Sequence, residues 1–377
     1  MATPRPRVLQ ICDYHGPYKG NFLPSLEAAR AELEALGGVQ VVAFTDVAQR
    51  TGWFDDFARE NTVALMPQGA SLLQQVNAIA RLVEQHRINI IHSHFSKYDL
   101  ACVAAAQLAR VRSRQVEVLW HVHSPSSRKA GISASLKDLF RWRLLGRYPR
   151  TVHVSRGGQL TMTERGLQQR RSVVLENGIN PERFSSDELL PWPADQVRSF
   201  LTFGWAPQVK GIDVILDAAE QLAARRDDFV VRLVGREPLK QLTLVRYGHT
   251  PPRWLIVQEP QEKVEDLYRS SYAFISASRQ EGFPYSVAEA MVLGLPVLSS
   301  DIRGLEWAKE SRGVSFFTNE KSNQLAALME ITLNQDEVTY LILGKCNRDL
   351  IYEKYTMSRW VNKLMTVYNQ ILHSNKS

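Results

Sequence analysis

The sequence predicts an α/β protein made of two doubly wound parallel-sheet domains. Three features carry that expectation: short apolar segments alternate with stretches of helical period, most of those segments are near-continuous hydrophobic runs, and they are too numerous for one sheet of ordinary size. The runs begin with Val8–Cys12, Val41–Phe44, Ile88–His92, Glu117–His121, Thr151–Ser155 and Val173–Glu176. They continue with Phe200–Phe203, Val230–Val234, Leu255–Val257, Ala273–Ser276 and Val297–Ser300. Between Asn180 and Val197 the pattern breaks, with Pro181, Pro191 and Pro193 in a stretch of neither period. That composition suits a connection between domains. The expected domains are therefore 1–180 and 181–354, followed by a helix over about 355–377 with Trp360, Leu364, Val367 and Leu372 on its apolar face.

Composition bounds the function. Of 377 residues, 44% are hydrophobic and 23% charged, ordinary values for a globular chain. No apolar run reaches the ~18 residues of a membrane span, and Met1–Val8 lacks the apolar stretch of a signal peptide. Cys12, Cys102 and Cys346 form neither a disulfide framework nor a metal-binding spacing, so a cytoplasmic protein is expected. The net charge of +7 favours phosphate-bearing partners, whether nucleotides, nucleic acid or anionic lipid.

The most informative stretch runs from Ser276 to Leu298 and reads as strand, loop, helix, turn, strand. Pro284 sits near the helix start, where its missing N–H is harmless; Gly294 closes the helix and Pro296 follows. Ligands of open α/β sheets bind outside the carboxyl ends of strands. Glu281 lies at such an end, and Glu289 lies on a helix face that can turn back to it. The amides around Phe283–Ser286 offer an anion site between the two carboxylates. Carboxylates that accept bonds from sugar hydroxyls, beside a phosphate-binding helix start, suit a nucleotide sugar.

Glu281-Gly282-Phe283-Pro284-Tyr285…Glu289-Ala-Met…Gly294-x-Pro296 resembles the Glu-x7-Glu signature of retaining glycosyltransferase family 4, which has the GT-B fold. Asn177-Gly178-Ile-Asn180…Phe184 resembles the family's end of domain one, and Gly204-Trp205…Lys210-Gly211 its donor-phosphate loop. The resemblance implies two Rossmann-like domains facing across a cleft. It also implies a final helix returning to domain one and transfer of a hexose from a UDP- or GDP-sugar to a glycan or lipid-linked acceptor. Glu289 would bind ribose, Lys210 the diphosphate and Glu281 the sugar hydroxyls. His123, with His121 as the fallback, would stand for the family's strand-end histidine near the reaction centre. Where the family has arginine this chain has Trp205, itself readable as plain packing; either Arg236 replaces the lost phosphate contact or phosphate binding is weaker. Gly16 and Gly20 form either a ligand loop or an ordinary turn. His15, His94 and His121 are candidates for the cleft or acceptor, and the bland reading of His92 and His94 is of hydrogen-bonded residues beside it.

No Asp-x-Asp and no Gly-x-Gly-x-x-Gly occurs, so neither a metal-bridging glycosyltransferase signature nor a dinucleotide fingerprint is present. Neither a metal nor a cofactor is expected. From Arg128 to Arg150 seven basic residues face one acid, with Leu136, Phe140 and Leu144 on one helical stripe. This reads either as an interfacial helix on anionic lipid, putting the protein on the inner face of a membrane, or as a surface helix of domain one. Without a recognition motif, nucleic acid is not expected. The rival functions are a non-catalytic GT-B subunit or scaffold that binds a nucleotide sugar, and a nucleotide-sugar epimerase on the same fold.

Overall fold

A computed structural model describes residues 5–124, 145–184, 189–192, 197–261 and 263–373. The chain divides into two compact units, one formed by 1–178 with 357–377 and the other by 179–356.

The first unit holds a seven-stranded parallel sheet in the order β3-β2-β1-β4-β5-β6-β7. Its strands are β1 (Arg7–Cys12), β2 (Val39–Thr45), β3 (Val63–Met66), β4 (Ile90–His94), β5 (Glu117–Val122), β6 (Arg150–His153) and β7 (Ser172–Val174). Helices α1 (Phe22–Ala35), α2 (Phe54–Glu60), α3 (Leu72–Gln85), α4 (Asp99–Val111) and α5 (Arg156–Glu164) connect them. The sequence-based expectation had no strand over 63–66. This edge strand is four residues long and largely uncovered, so it lacks the apolar run that marks the central strands.

The second unit holds a six-stranded parallel sheet in the order β10-β9-β8-β11-β12-β13. Its strands are β8 (Arg198–Phe203), β9 (Phe229–Val234), β10 (Leu255–Gln258), β11 (Ala273–Ser276), β12 (Val297–Ser300) and β13 (Val314–Phe317). Its helices are α6 (Ile212–Ala223), α7 (Glu237–Tyr247), α8 (Val264–Arg269), α9 (Tyr285–Val292), α10 (Ser322–Leu333) and α11 (Glu337–Lys354). The other strand the expectation lacked, β13, is also a short edge strand.

In both sheets the winding reverses beside the first strand. Successive strands step one way from β1 to β3 and the other way from β4 to β7; in the second sheet the reversal falls between β8 and β11. The connections leaving the two flanking strands diverge at such a point, which opens a crevice at the strands' carboxyl ends.

The chain crosses between units at 178/179 and 356/357. Trp192 lies in the described part of the segment read as a connection. Trp192 packs edge-on against Tyr272 and Tyr340, and the Arg198 guanidinium lies 4.8 Å from the Trp192 ring centre. The last helix, α12 (Met357–His373), belongs to the first unit. Trp360, Leu364, Tyr368 and Ile371 join Ala29 and Leu33 of α1 and Val8, Ile90 and Leu119 of the sheet in one core. Most of the basic segment expected to face lipid, 128–144, lies outside the described residues. Among the described residues no helix is long and apolar enough to cross a membrane.

Leu364 is fully buried in that core. Leu364→Ala should lower stability in urea by about 2–5 kcal/mol, a cavity cost that a helix merely resting on the surface would not show.

Candidate active site

In the second unit the site residues gather where the winding reverses. Gly204 follows β8, and the loop after it ends at Lys210-Gly211, just before α6. Glu281 follows β11, and α9 begins four residues later. Two close approaches lock these loops together. Gly211 has φ +61°, and a Cβ there would lie 2.1 Å from the Ala277 carbonyl oxygen. A Cβ on Gly304, in the 3-10 turn Arg303–Glu310 after β12, would lie 2.1 Å from the carbonyl oxygen of Glu281. Only glycine lets backbone approach backbone so closely. Arg279 adds a clamp: its N–H donates to the Val209 carbonyl at 2.8 Å, and its guanidinium forks onto Asp213 at 2.9 and 2.7 Å. That bond holds the Asp213 carboxyl below its ordinary pKa.

The Lys210 ammonium and the Ser278 hydroxyl both donate to Glu281 Oε1, at 2.5 and 2.7 Å. Glu289 is buried on α9; Arg183 reaches its Oε1 at 3.1 Å and the Tyr268 hydroxyl its Oε2 at 2.9 Å. Burial, reinforced by the Glu289 charge, pushes the Tyr268 hydroxyl pKa far up, so it stays a donor. Each carboxylate thus accepts from a cation and from a hydroxyl, an arrangement that fixes its geometry and balances its charge. Arg183, Tyr268, Ser278 and Gly304 were not singled out from the sequence. The faint signals are a Pro-Glu-Arg-Phe run after Asn180 and a glycine in the loop after the next strand.

The remaining expected residues fall around these two pairs. Gly282, Phe283 and Pro284 are buried, and Tyr285 is half-buried. Phe283 stacks on Trp307 with centroids 4.3 Å apart, so its side chain is structural and only its backbone is available to a ligand. Trp205 stacks flat on Phe203 at 5.5 Å yet remains 46% exposed, which is more than packing alone requires. Arg236 is exposed just ahead of α7, beyond the end of β9.

In the first unit the expected histidines form a ladder on one face of the sheet. Register explains it: Gln10 lies opposite His92, Cys12 opposite His94, and His94 opposite His121. Side chains two apart in a strand share a face, so Gln10, His92 with His94, and His121 with His123 line up. His121 and His123 stack at 4.3 Å, so the strand does not turn them apart. Phe95 stacks on His123 at 4.5 Å, and both Phe95 and Ser96 adopt left-handed backbone, with φ +60° and +59°. Such strain costs about 1–3 kcal/mol per residue and gathers at functional positions. His94 and His121, candidates for the cleft or acceptor, are buried within the ladder; His123 is half-buried and His15 exposed. Gly16 accepts a bond from the Trp53 indole at 2.8 Å, and Gly20 has φ +55°, so this loop has a packing role of its own.

Ring nitrogens of His92, His94 and His121 lie within 4.8 Å of one another, as a metal would require. Both nitrogens of His92 and of His94 are, however, already hydrogen-bonded: His92 to Tyr368 and His121, His94 to His123 and Gln10. An ion there would have to break those bonds. Burial lowers every one of these histidines, His123 to about 3 and, on β6, His153 to about 4.

Comparison with known proteins adds identity to this geometry. Residues 28–183 match the family described as Glycosyltransferase Family 4, and residues 198–335 match Glycosyl transferases group 1. The chain is a glycosyltransferase of the GT-B fold. The glycosyltransferase is 20% identical to N-acetyl-alpha-D-glucosaminyl L-malate synthase of Bacillus anthracis, over 81% of each chain. It is 21% identical to the UDP-Gal:alpha-D-GlcNAc-diphosphoundecaprenol alpha-1,3-galactosyltransferase of Escherichia coli, over 84% of this chain and 85% of that one. In fold it is similar to Anabaena HepE, whose structure holds UDP and glucose. The TM-score is 0.76 and the identity 16%, over 96% and 98% of the two chains.

Two predictions follow from the glycosyltransferase's geometry. Gly304→Ala should displace the Glu281 loop and reduce ligand affinity at this site at least tenfold. A titration unchanged from wild type would mean the loop moves without consequence. The second concerns acid. A histidine buried neutral binds its proton less readily folded than unfolded, so stability is full above the unfolded pKa, ~6.5, and falls as pH drops toward the folded value. For His153 the window is pH ~6.5 to about 4, and the loss is about 2 kcal/mol by pH 5. His153→Asn should flatten the pH dependence of urea-unfolding stability by about that amount between pH 7.5 and 5.

Proposed function

We propose that the protein transfers a hexose-type sugar, with retention of anomeric configuration, from a UDP- or GDP-sugar to a glycan or lipid-linked acceptor in polysaccharide or glycolipid biosynthesis. The observation that carries this reading is the pair of carboxylates at the reversal of the second sheet, each matched to a cation beside a helix start. Glu289 takes the ribose hydroxyls. The amides opening α9 at Tyr285 hold the diphosphate, and Lys210 joins them by exchanging Glu281 for a phosphate oxygen. Glu281, released from that exchange, accepts bonds from the hexose hydroxyls. Gly204, Trp205, Gly282 and Arg236 border the donor.

The reaction is a front-face displacement: the glycosidic bond to phosphate breaks while the acceptor oxygen bonds the same face of the anomeric carbon. A donor phosphate oxygen takes the acceptor's proton. Positioning and neutralisation of the departing diphosphate supply the catalysis, so neither a nucleophilic side chain nor a metal is required. The E. coli relative, named for a UDP-Gal donor and a diphosphoundecaprenol-linked acceptor, supports the donor and acceptor classes. The charge of +7 suits an acceptor presented on anionic lipid at the inner face of a membrane.

The test is a binding panel of UDP-, GDP-, ADP-, dTDP- and CMP-sugars with EDTA present. One donor should bind saturably and indifferently to EDTA. Lys210→Ala and Glu289→Ala should each weaken it about 10- to 100-fold, the worth of a charged hydrogen bond. Absence of binding by every donor would sink the reading.

A further inference from the structure

Among the described tryptophans Trp205 alone is exposed, yet its ring is firmly mounted. The backbone is pinned on both sides of it. The Gly204 N–H donates to the Val234 carbonyl at the end of β9, and the Lys210 N–H closes the loop onto the Ala206 carbonyl, both at 2.9 Å. The indole lies flat on Phe203, with 6° between the planes. Phe203 is buried in its turn, meeting Phe274 at 5.8 Å and Tyr268, edge-on, at 5.6 Å. The ring is therefore ordered before any ligand arrives, which lowers the entropy lost on binding.

Packing does not account for this placement. A tryptophan kept for the core buries its ring, as Trp120 and Trp307 do. Trp205 spends one face on Phe203 and leaves 46% of its surface open, forgoing the stabilisation that burying the rest would bring.

The residues behind the ring show which end of the site it serves. Across the aromatic block from Trp205, the Tyr268 hydroxyl donates to Glu289 Oε2 at 2.9 Å. The indole and the carboxylate assigned to ribose thus stand on one support, Phe203 with Tyr268. Glu281, assigned to the hexose, is held by other groups: Lys210, Ser278 and the backbone contact with Gly304. Trp205 therefore belongs to the ribose end. A nucleotide sugar carries two groups on its ribose, a diphosphate and a base. The diphosphate is charged and gains nothing from an apolar ring, whereas the base is flat and aromatic and stacks on one.

We propose that Trp205 is a stacking platform for the nucleobase of the donor. This rests on the donor site of the function proposed above, and it assigns the affinity for the base to one side chain. Every base presents a π-face, so the platform adds affinity without choosing among bases. The choice falls to groups that read the edge of the base.

The experiment titrates the full-length protein with UDP and with GDP, and uses inorganic pyrophosphate, read by its competition with the nucleotide, as the base-free probe. For whichever nucleotide binds, Trp205→Ala should cost about tenfold in affinity and Trp205→Phe less than about threefold, since phenylalanine keeps a flat ring. Pyrophosphate should bind all three proteins alike. The base protons of the bound nucleotide should shift upfield in the ring current of the indole, and that shift should vanish in Trp205→Ala. Because Trp205 is exposed, its replacement opens no cavity in the core. Nucleotide affinity unchanged in Trp205→Ala but weakened in Lys210→Ala would overturn the platform and leave the donor site standing. An equal loss for nucleotide and pyrophosphate would overturn it too, by showing a displaced loop rather than a lost stack. So would a loss confined to the nucleotide sugar and absent from the bare nucleotide, which would move the ring to the hexose. Failure of the wild type to bind either nucleotide would remove the donor site and the platform together.

Discussion

Everything functional in this chain hangs on the reversal of winding beside the first strand of each sheet. In a parallel sheet every connection must climb back across a face, and where two successive connections take opposite faces the strand ends between them are left uncovered. In the second unit β8 and β11 flank that gap, and Lys210 and Glu281 lie in the loops that leave them. In the first unit the gap falls between β1 and β4, and His94 ends β4 there with His123 bonded to it. Chemistry-bearing side chains collect at both points because neighbouring strands end there in register and the backbone is free to turn.

The two units solve the problem of polar groups at such a place differently. The second uses ion pairs: Glu281 with Lys210 and Glu289 with Arg183, each supported by a hydroxyl. Such pairs can exchange partners when an anion arrives, at modest cost because the charges are never left alone. The first uses neutral imidazoles and amides, buried deeply enough that ionisation is suppressed. That network cannot exchange partners cheaply, since each proton position depends on the one before it.

Much of this was legible in the sequence, and the exceptions have physical causes. The hydrophobic runs marked the central strands because burial on both faces leaves them no polar positions; β3 and β13 escaped because short edge strands do not need such runs. Glu281 and Glu289 could be read from local context because strand end, loop and helix start are contiguous. Lys210 could be read from its own loop, but neither its pairing with Glu281 nor Arg183 could. Arg183 and Lys210 are 106 and 71 residues away from the carboxylates they hold. The histidines could be seen in pairs by their spacing, but Gln10 and Tyr368 carry no local mark. Tyr368 reaches the ladder from the opposite end of the chain, 276 residues beyond His92. Two-residue spacing fixes which face His94 and His121 take but not how deeply that face is covered, so their burial was not legible.

The close contacts at Gly211 and Gly304 carry a consequence of a different kind. Each joins two loops through bare backbone, at a distance where even one methyl group would collide with a carbonyl oxygen. Rigidity of this sort has no side chain to trade, so it cannot be tuned in small steps. A lineage drifting toward a new donor can vary the residues that rim the site one at a time, but these two positions leave it no intermediate to try. Substrate preference in such a frame can change freely while the frame itself stays fixed.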